Sequence, residues 1–185
     1  MTRSIIRCAV AAALLTLLPQ VLAAQADPRL ESLKEEALEL VEQRADLVQE
    51  IIDMLFSFGE LGMQEFETQA YLTGLLEEEG FDIELGVAGM PSAWTATWSN
   101  GTGEPVIALG SDVDGIRQSN QQPGVAYRHP IVAMAPGHGE GHNSGQAVNI
   151  VAALAVKEIM ERENIDGKLL IWPGVAEEQV ASKAY

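Results

Sequence analysis

Cysteine is almost missing from this sequence: the 185 residues contain one, Cys8. It lies inside an apolar run near the N-terminus, where the order of residues is that of a secretory signal peptide. Met1 to Ala26 carries Arg3 and Arg7, then the run Cys8–Leu18, then small residues ending in Ala23 and Ala26. Pro19 breaks the run, which is shorter than the roughly 20 apolar residues of a membrane-spanning helix. Cleavage after Ala23 or Ala26, rather than retention as an anchor, is therefore the expectation, and with it an exported, periplasmic or secreted protein. Cys8 sits within the run rather than behind it, which argues against a lipoprotein anchor. A mature chain without cysteine forms no disulfide, and any metal site in it must be built from His, Asp and Glu.

Basic residues are also scarce, 11 Lys and Arg against 27 Asp and Glu. Loss of Arg3 and Arg7 with the signal moves the formal charge from −16 to −18. A surface of that sign repels nucleic acid and anionic lipid, whose binding rests on basic contacts. No nucleic acid partner is expected, and no membrane association after signal cleavage. No repeat or low-complexity stretch is present.

What remains, residues 27–185, is long enough for one domain with a real core. Apolar positions spaced by three and four predict an amphipathic helix over 29–57, broken at Gly59 and Gly62, and a second from Glu65 to Glu79. Alternation then predicts strands at Phe81–Leu85 and Trp94–Trp98. The unbroken runs Pro105–Leu109 and Lys168–Trp172 read as strands covered on both faces. A glycine-rich loop over 115–145 and a helix over 146–163 separate them. The order strand, helix, strand implies an α/β fold, a three-layer sandwich with a mixed, largely parallel central sheet.

Three segments carry chemistry, each at or just beyond the C-terminal end of an expected buried strand, where open α/β sheets place their sites. Ser111-Asp112-Val113-Asp114 ends the first with two carboxylates. Pro136-Gly137-His138-Gly139-Glu140-Gly141-His142-Asn143 sets two of the chain's three histidines and a carboxylate among glycines. Gly174-Val175-Ala176-Glu177-Glu178 ends the last with adjacent acids. Singly, an Asp-x-Asp is often a turn or cap, and a Glu pair in so acidic a chain is commonly solvated surface. Together they offer what a hydrolytic metal site requires: neutral imidazole and carboxylate ligands, and a further carboxylate to take the proton of water. Asp114 suits a carboxylate that orients a ligating imidazole.

These segments, with Gly59-Glu60-Leu61-Gly62-Met63-Gln64-Glu65 and Gly80-Phe81-Asp82-Ile83 before them, resemble zinc-dependent aminoacylase and carboxypeptidase-type amidohydrolases and exopeptidases. The branch most like them is the bacterial amidohydrolase branch that includes aminobenzoyl-glutamate hydrolase, through its B chain, and the plant auxin-conjugate hydrolases. Ser111-Asp112-Val113-Asp114 matches its Ala-Asp-Met-Asp, and His138 to Asn143 matches His-x-Cys-Gly-His-Asp/Asn. The resemblance implies Glu177 as general base and Asp114 beside the metals. It implies Glu140, His142 and Glu178 as ligands of two divalent ions, zinc or manganese, with His138 and Asp112 in supporting places. It implies metal-dependent hydrolysis of an amide bond in an N-acyl amino acid, a dipeptide or an aminobenzoyl-glutamate-like conjugate. The alternative is a non-catalytic periplasmic binding protein whose metal site has drifted. Two departures stand out: Glu140 replaces the branch's bridging cysteine, and Arg117 stands where the branch carries proline. The family's further ligands and its lid and dimerisation domain lie beyond the equivalent of residue 185. The chain is thus expected to be the N-terminal part of a catalytic domain from a homodimeric enzyme.

Overall fold

The computed structural model describes residues 27–184; the expected signal peptide, 1–26, lies outside the described residues. Contacts divide the chain after Ser32, so that residues 27–32 open the first helix and Leu33 onward forms the compact body. The helix expected over 29–57 is two helices, α1 (Pro28–Glu42) and α2 (Ala45–Phe58). Arg44 marks the break. Its guanidinium donates to the Leu40 carbonyl and pairs with Glu158 on a distant helix, a tertiary contact that no helical periodicity encodes. α2 stops at Gly59, which takes the left-handed conformation (φ 52°) and returns its N–H to the Leu55 carbonyl. α3 (Phe66–Glu78) follows a short linker.

Among the described residues, four strands build one sheet: β1 (Asp82–Leu85), β2 (Trp94–Asn100), β3 (Val106–Asp112) and β4 (Gly167–Gly174), in the order β1-β2-β4-β3. The sheet is mixed, as the pattern implied. β3 and β4 are parallel, joined by the crossover helix α4 (His142–Glu163), whereas β1–β2 and β2–β4 are antiparallel. α3 lies over β1 and β2, α4 over β3 and β4, and α2 packs against both helices. Trp94 and Ala96 of β2 and Leu169 and Ile171 of β4 share one face. They close the main core with Ile51, Leu55, Leu72, Leu76, Ile150 and Leu154 from α2, α3 and α4, beside a smaller cluster of Leu40, Ala155 and Ile159. Removing this apolar surface from water is the main drive for the fold. The other face carries Thr95, Thr97, Leu170 and Trp172, half-buried.

One strand departs from expectation. β3 was to be covered on both faces, yet Val106 and Ile107 are 46% and 48% exposed. Among the described residues β3 has only β4 as a hydrogen-bonded neighbour and stands at the sheet edge. Hydropathy records that a run is apolar, but not which strand will be placed outermost. α4 also begins at His142, four residues before the expected start, because Gly141 (φ 107°) turns the chain directly from the loop into the helix. No described helix is long and apolar enough to cross a membrane.

Candidate metal centre

Parallel β3 and β4 end side by side, Asp112 opposite Gly174, and this register brings the first and third chemical segments together. Gln146 of α4, fully buried, secures the pair: its amide nitrogen donates to the carbonyls of Ser111 (2.8 Å) and Trp172 (2.9 Å). Gly145 lets the helix approach, since a Cβ there would fall 1.8 Å from the Ser111 hydroxyl. The N-terminus of α4 thus delivers His142 to the same strand ends.

Glu140, His142, Glu177 and Glu178 each contribute one donor atom to a group in which all lie within 4.8 Å of one another. His142 Nε2 is 3.5 Å from Glu140 Oε2 and 3.9 Å from Asp112 Oδ2. Its other nitrogen, Nδ1, lies 2.9 Å from the backbone carbonyl of Asp114. A carbonyl only accepts, so this contact places a proton on Nδ1 and aims Nε2 at the acids, the nitrogen that would ligate a metal. The Asp114 carboxylate, 1% exposed, stands 3.3 Å from the same ring nitrogen and accepts the Glu178 N–H at 2.9 Å. Asp114 was expected to orient the imidazole through its side chain. It does so chiefly through its carbonyl, and its carboxylate fixes the Glu178 turn.

The donor set fits divalent cations. Three carboxylates and one imidazole converge, and Glu178 Oε1 and Asp114 Oδ1 are buried without a hydrogen-bond partner. Crowding shows in the proton affinity of Glu178, whose carboxyl is pushed above the usual range by desolvation first and then by Glu140. Oxygen and imidazole donors without thiolate suit zinc and, more than a cysteine-containing set would, manganese.

Two expected supporting residues stand apart from the cluster. His138 turns away and donates from Nε2 to the Leu55 carbonyl (3.0 Å); burial holds its pKa below the usual imidazole value, and its buried Nδ1 has no partner. Asp112 is beside the cluster, its Oδ2 paired with Lys183 at 2.8 Å. Lys183 also comes within 3.9 Å of Glu177 and was not anticipated, since a lone lysine well past a strand end carries no spacing signal.

The linker between α2 and α3 supports all three segments. The Glu60 carbonyl accepts the Gly115 N–H (2.7 Å), Gly59 lies against Pro136, and Gly62 lies against Ala176. Only the resemblance drew attention to this stretch; by composition it is a loop.

A mixed α/β sheet thus gathers an imidazole and several carboxylates at its strand ends, an arrangement that fits a divalent-metal site. Comparison with known proteins agrees. No family model matches the chain. It is 31% identical over 136 residues to the B chain of p-aminobenzoyl-glutamate hydrolase from Escherichia coli (strain K12), covering 74% of this chain and 28% of that protein. Its fold is similar to a dinuclear metal binding peptidase of the M20 family from Bacillus subtilis (TM-score 0.55, 25% identity, 71% of this chain and 36% of that one). It is also similar to an aminobenzoyl-glutamate utilization protein from Klebsiella pneumoniae (TM-score 0.56, 17% identity, 77% and 40%). The chain is thus similar to M20-type amidohydrolases, and it spans little more than a quarter of the curated relative it matches.

Proposed function

We propose that the whole protein is an exported, metal-dependent hydrolase of amide bonds, acting on N-acyl amino acids, dipeptides or aminobenzoyl-glutamate-like conjugates. The observation that carries this reading is the convergence of Glu140, His142, Glu177 and Glu178. Glu140, His142 and Glu178 would hold the metal. When bound, two divalent ions supply Lewis acidity, activating water and stabilising the negative charge that develops on the amide oxygen. Glu177 takes the proton of the attacking water and passes it to the leaving nitrogen. Asp114 keeps His142 in its ligating tautomer and holds the Glu178 turn.

The test is metal content and hydrolysis measured together on the whole protein. It should purify with stoichiometric zinc or manganese and cleave p-aminobenzoyl-glutamate, N-acetyl amino acids or dipeptides in a chelator-sensitive way. Folded protein that neither carries nor takes up metal would instead support the non-catalytic binding protein. The metal itself is addressed by Glu140→Cys: the softer thiolate should raise zinc affinity relative to manganese, read by competitive titration. An unchanged ratio would place Glu140 outside the ligand set.

Export follows from the order of residues in 1–26, and mass spectrometry of the exported protein should find a mature N-terminus at Ala24 or Asp27. A protein retaining Met1 would contradict it. The family resemblance also supports a homodimer, to be read from the sedimentation mass.

A further inference from the structure

We propose that Glu65 is a positioning residue that clamps the turn presenting Glu177 and Glu178. The inference rests on the functional reading above only for what the turn does, not for how it is held. Glu65 is 1% exposed, and its Oε1 accepts the N–H of Ala176 at 2.8 Å. The other oxygen, Oε2, accepts the hydroxyl of Ser92, itself buried. Burial pushes the Glu65 carboxyl above its usual pKa, despite both of these hydrogen bonds.

Ala176 is an unusual residue to find held in this way. It is a fully buried non-glycine residue in the left-handed region, φ 53° and ψ 34°, a conformation that persists only when its surroundings enforce it. Its carbonyl accepts the N–H of Val180 at 3.0 Å, so the orientation of its peptide units sets the direction of the short helix α5 (Glu177–Val180). Glu65 grips the N–H of Ala176, while Asp114 grips that of Glu178. Two buried carboxylates, from separate segments of the chain, therefore hold alternate amides of one turn, with Glu177 between them. Gly62, on the same linker as Glu65, closes the arrangement: a Cβ there would fall 2.5 Å from Ala176 Cα. A carboxylate placed there only to satisfy Ser92 would not have to meet Ala176.

Hydrogen exchange at Ala176 tests the clamp in the whole protein, with or without metal. In Glu65→Leu the Ala176 amide should exchange roughly tenfold faster or more, the loss expected for a hydrogen bond to a charged acceptor. Glu65→Gln, which keeps the acceptor oxygen, should rescue most of that protection. The amides of Glu67 and Thr68, bound to the Glu60 carboxylate, serve as controls and should not change. Should Glu65→Leu fail to fold, Ser92→Ala frees one carboxylate oxygen and should raise Ala176 exchange by a smaller factor. Wild-type exchange at Ala176 in folded Glu65→Leu, or in Ser92→Ala where the former does not fold, overturns the clamp. Titration with manganese and zinc separates the two readings. Wild-type protein that binds neither ion defeats the metal-site reading and leaves the exchange data to decide the clamp. A Leu variant that loses Ala176 protection but keeps wild-type manganese affinity and kcat overturns the positioning role.

Discussion

Glu177→Gln is expected to lower turnover by about 100- to 10,000-fold while metal stays bound, the range in which a single positioned acid–base group contributes. Gln is nearly isosteric but cannot accept a proton. Glu140, His142 and Glu178 remain in place, and the backbone turn is held by Asp114 and Glu65 rather than by the Glu177 side chain. Glu177 is also placed for the task. Its side chain is about a third exposed and so open to water and substrate, and Lys183 lies 3.9 Å from its Oε1. The decisive measurement is kcat beside metal stoichiometry on the same preparation. Retained turnover removes Glu177 as the base. A fall in metal affinity matching the fall in rate would move it into the ligand set instead, which its position inside the four-residue group makes a meaningful outcome.

Asp114→Ala should weaken metal binding by about 10- to 100-fold, the usual cost of losing a partner that orients a ligand. The substitution leaves the backbone carbonyl that fixes His142, so the imidazole keeps its tautomer. It removes the acceptor of the Glu178 N–H and the buried negative charge 3.3 Å from His142. Asp114→Asn keeps an acceptor oxygen without the charge and should fall between wild type and Ala. Isothermal titration with manganese and zinc would rank the three. Equal affinity in all of them would show that the carboxylate serves the fold and not the site.

The contrast between Asp114 and Glu65 shows how far the residues could be read before they were folded. Asp114 was visible because it ends an apolar run, and the end of a buried strand is a place where side chains of neighbouring strands converge. Its two separate jobs were not visible, because one belongs to its backbone. Glu65 gave no chemical signal of its own in a chain with 27 acidic residues. Only its burial separates it from the solvated acids around it, and burial is produced by the packing of α3, β2 and the Glu177 turn. Lys183 escaped for a related reason: its partner Asp112 lies 71 residues away. The break at Arg44 was hidden likewise, since Glu158 is distant in sequence and adjacent in space.

By itself the sequence determined the elements and the chemistry on offer. Strand positions, helix faces and the three segments rich in Asp, Glu and His follow from local patterns of period 2 and 3.6 and from residue type. With its one cysteine at position 8, residues 27–185 offer only oxygen and imidazole donors of the kind that ligate zinc or manganese. Tertiary structure decided the rest: that β3 pairs with β4 alone among the described residues, that the two run parallel with their ends in register, and that α4 starts at His142. It also decided which few of the many carboxylates are enclosed. The physical reason is that a metal site is a matter of angstroms between side chains tens of residues apart. Those distances are set by long-range packing and pairing, which a local pattern constrains without specifying.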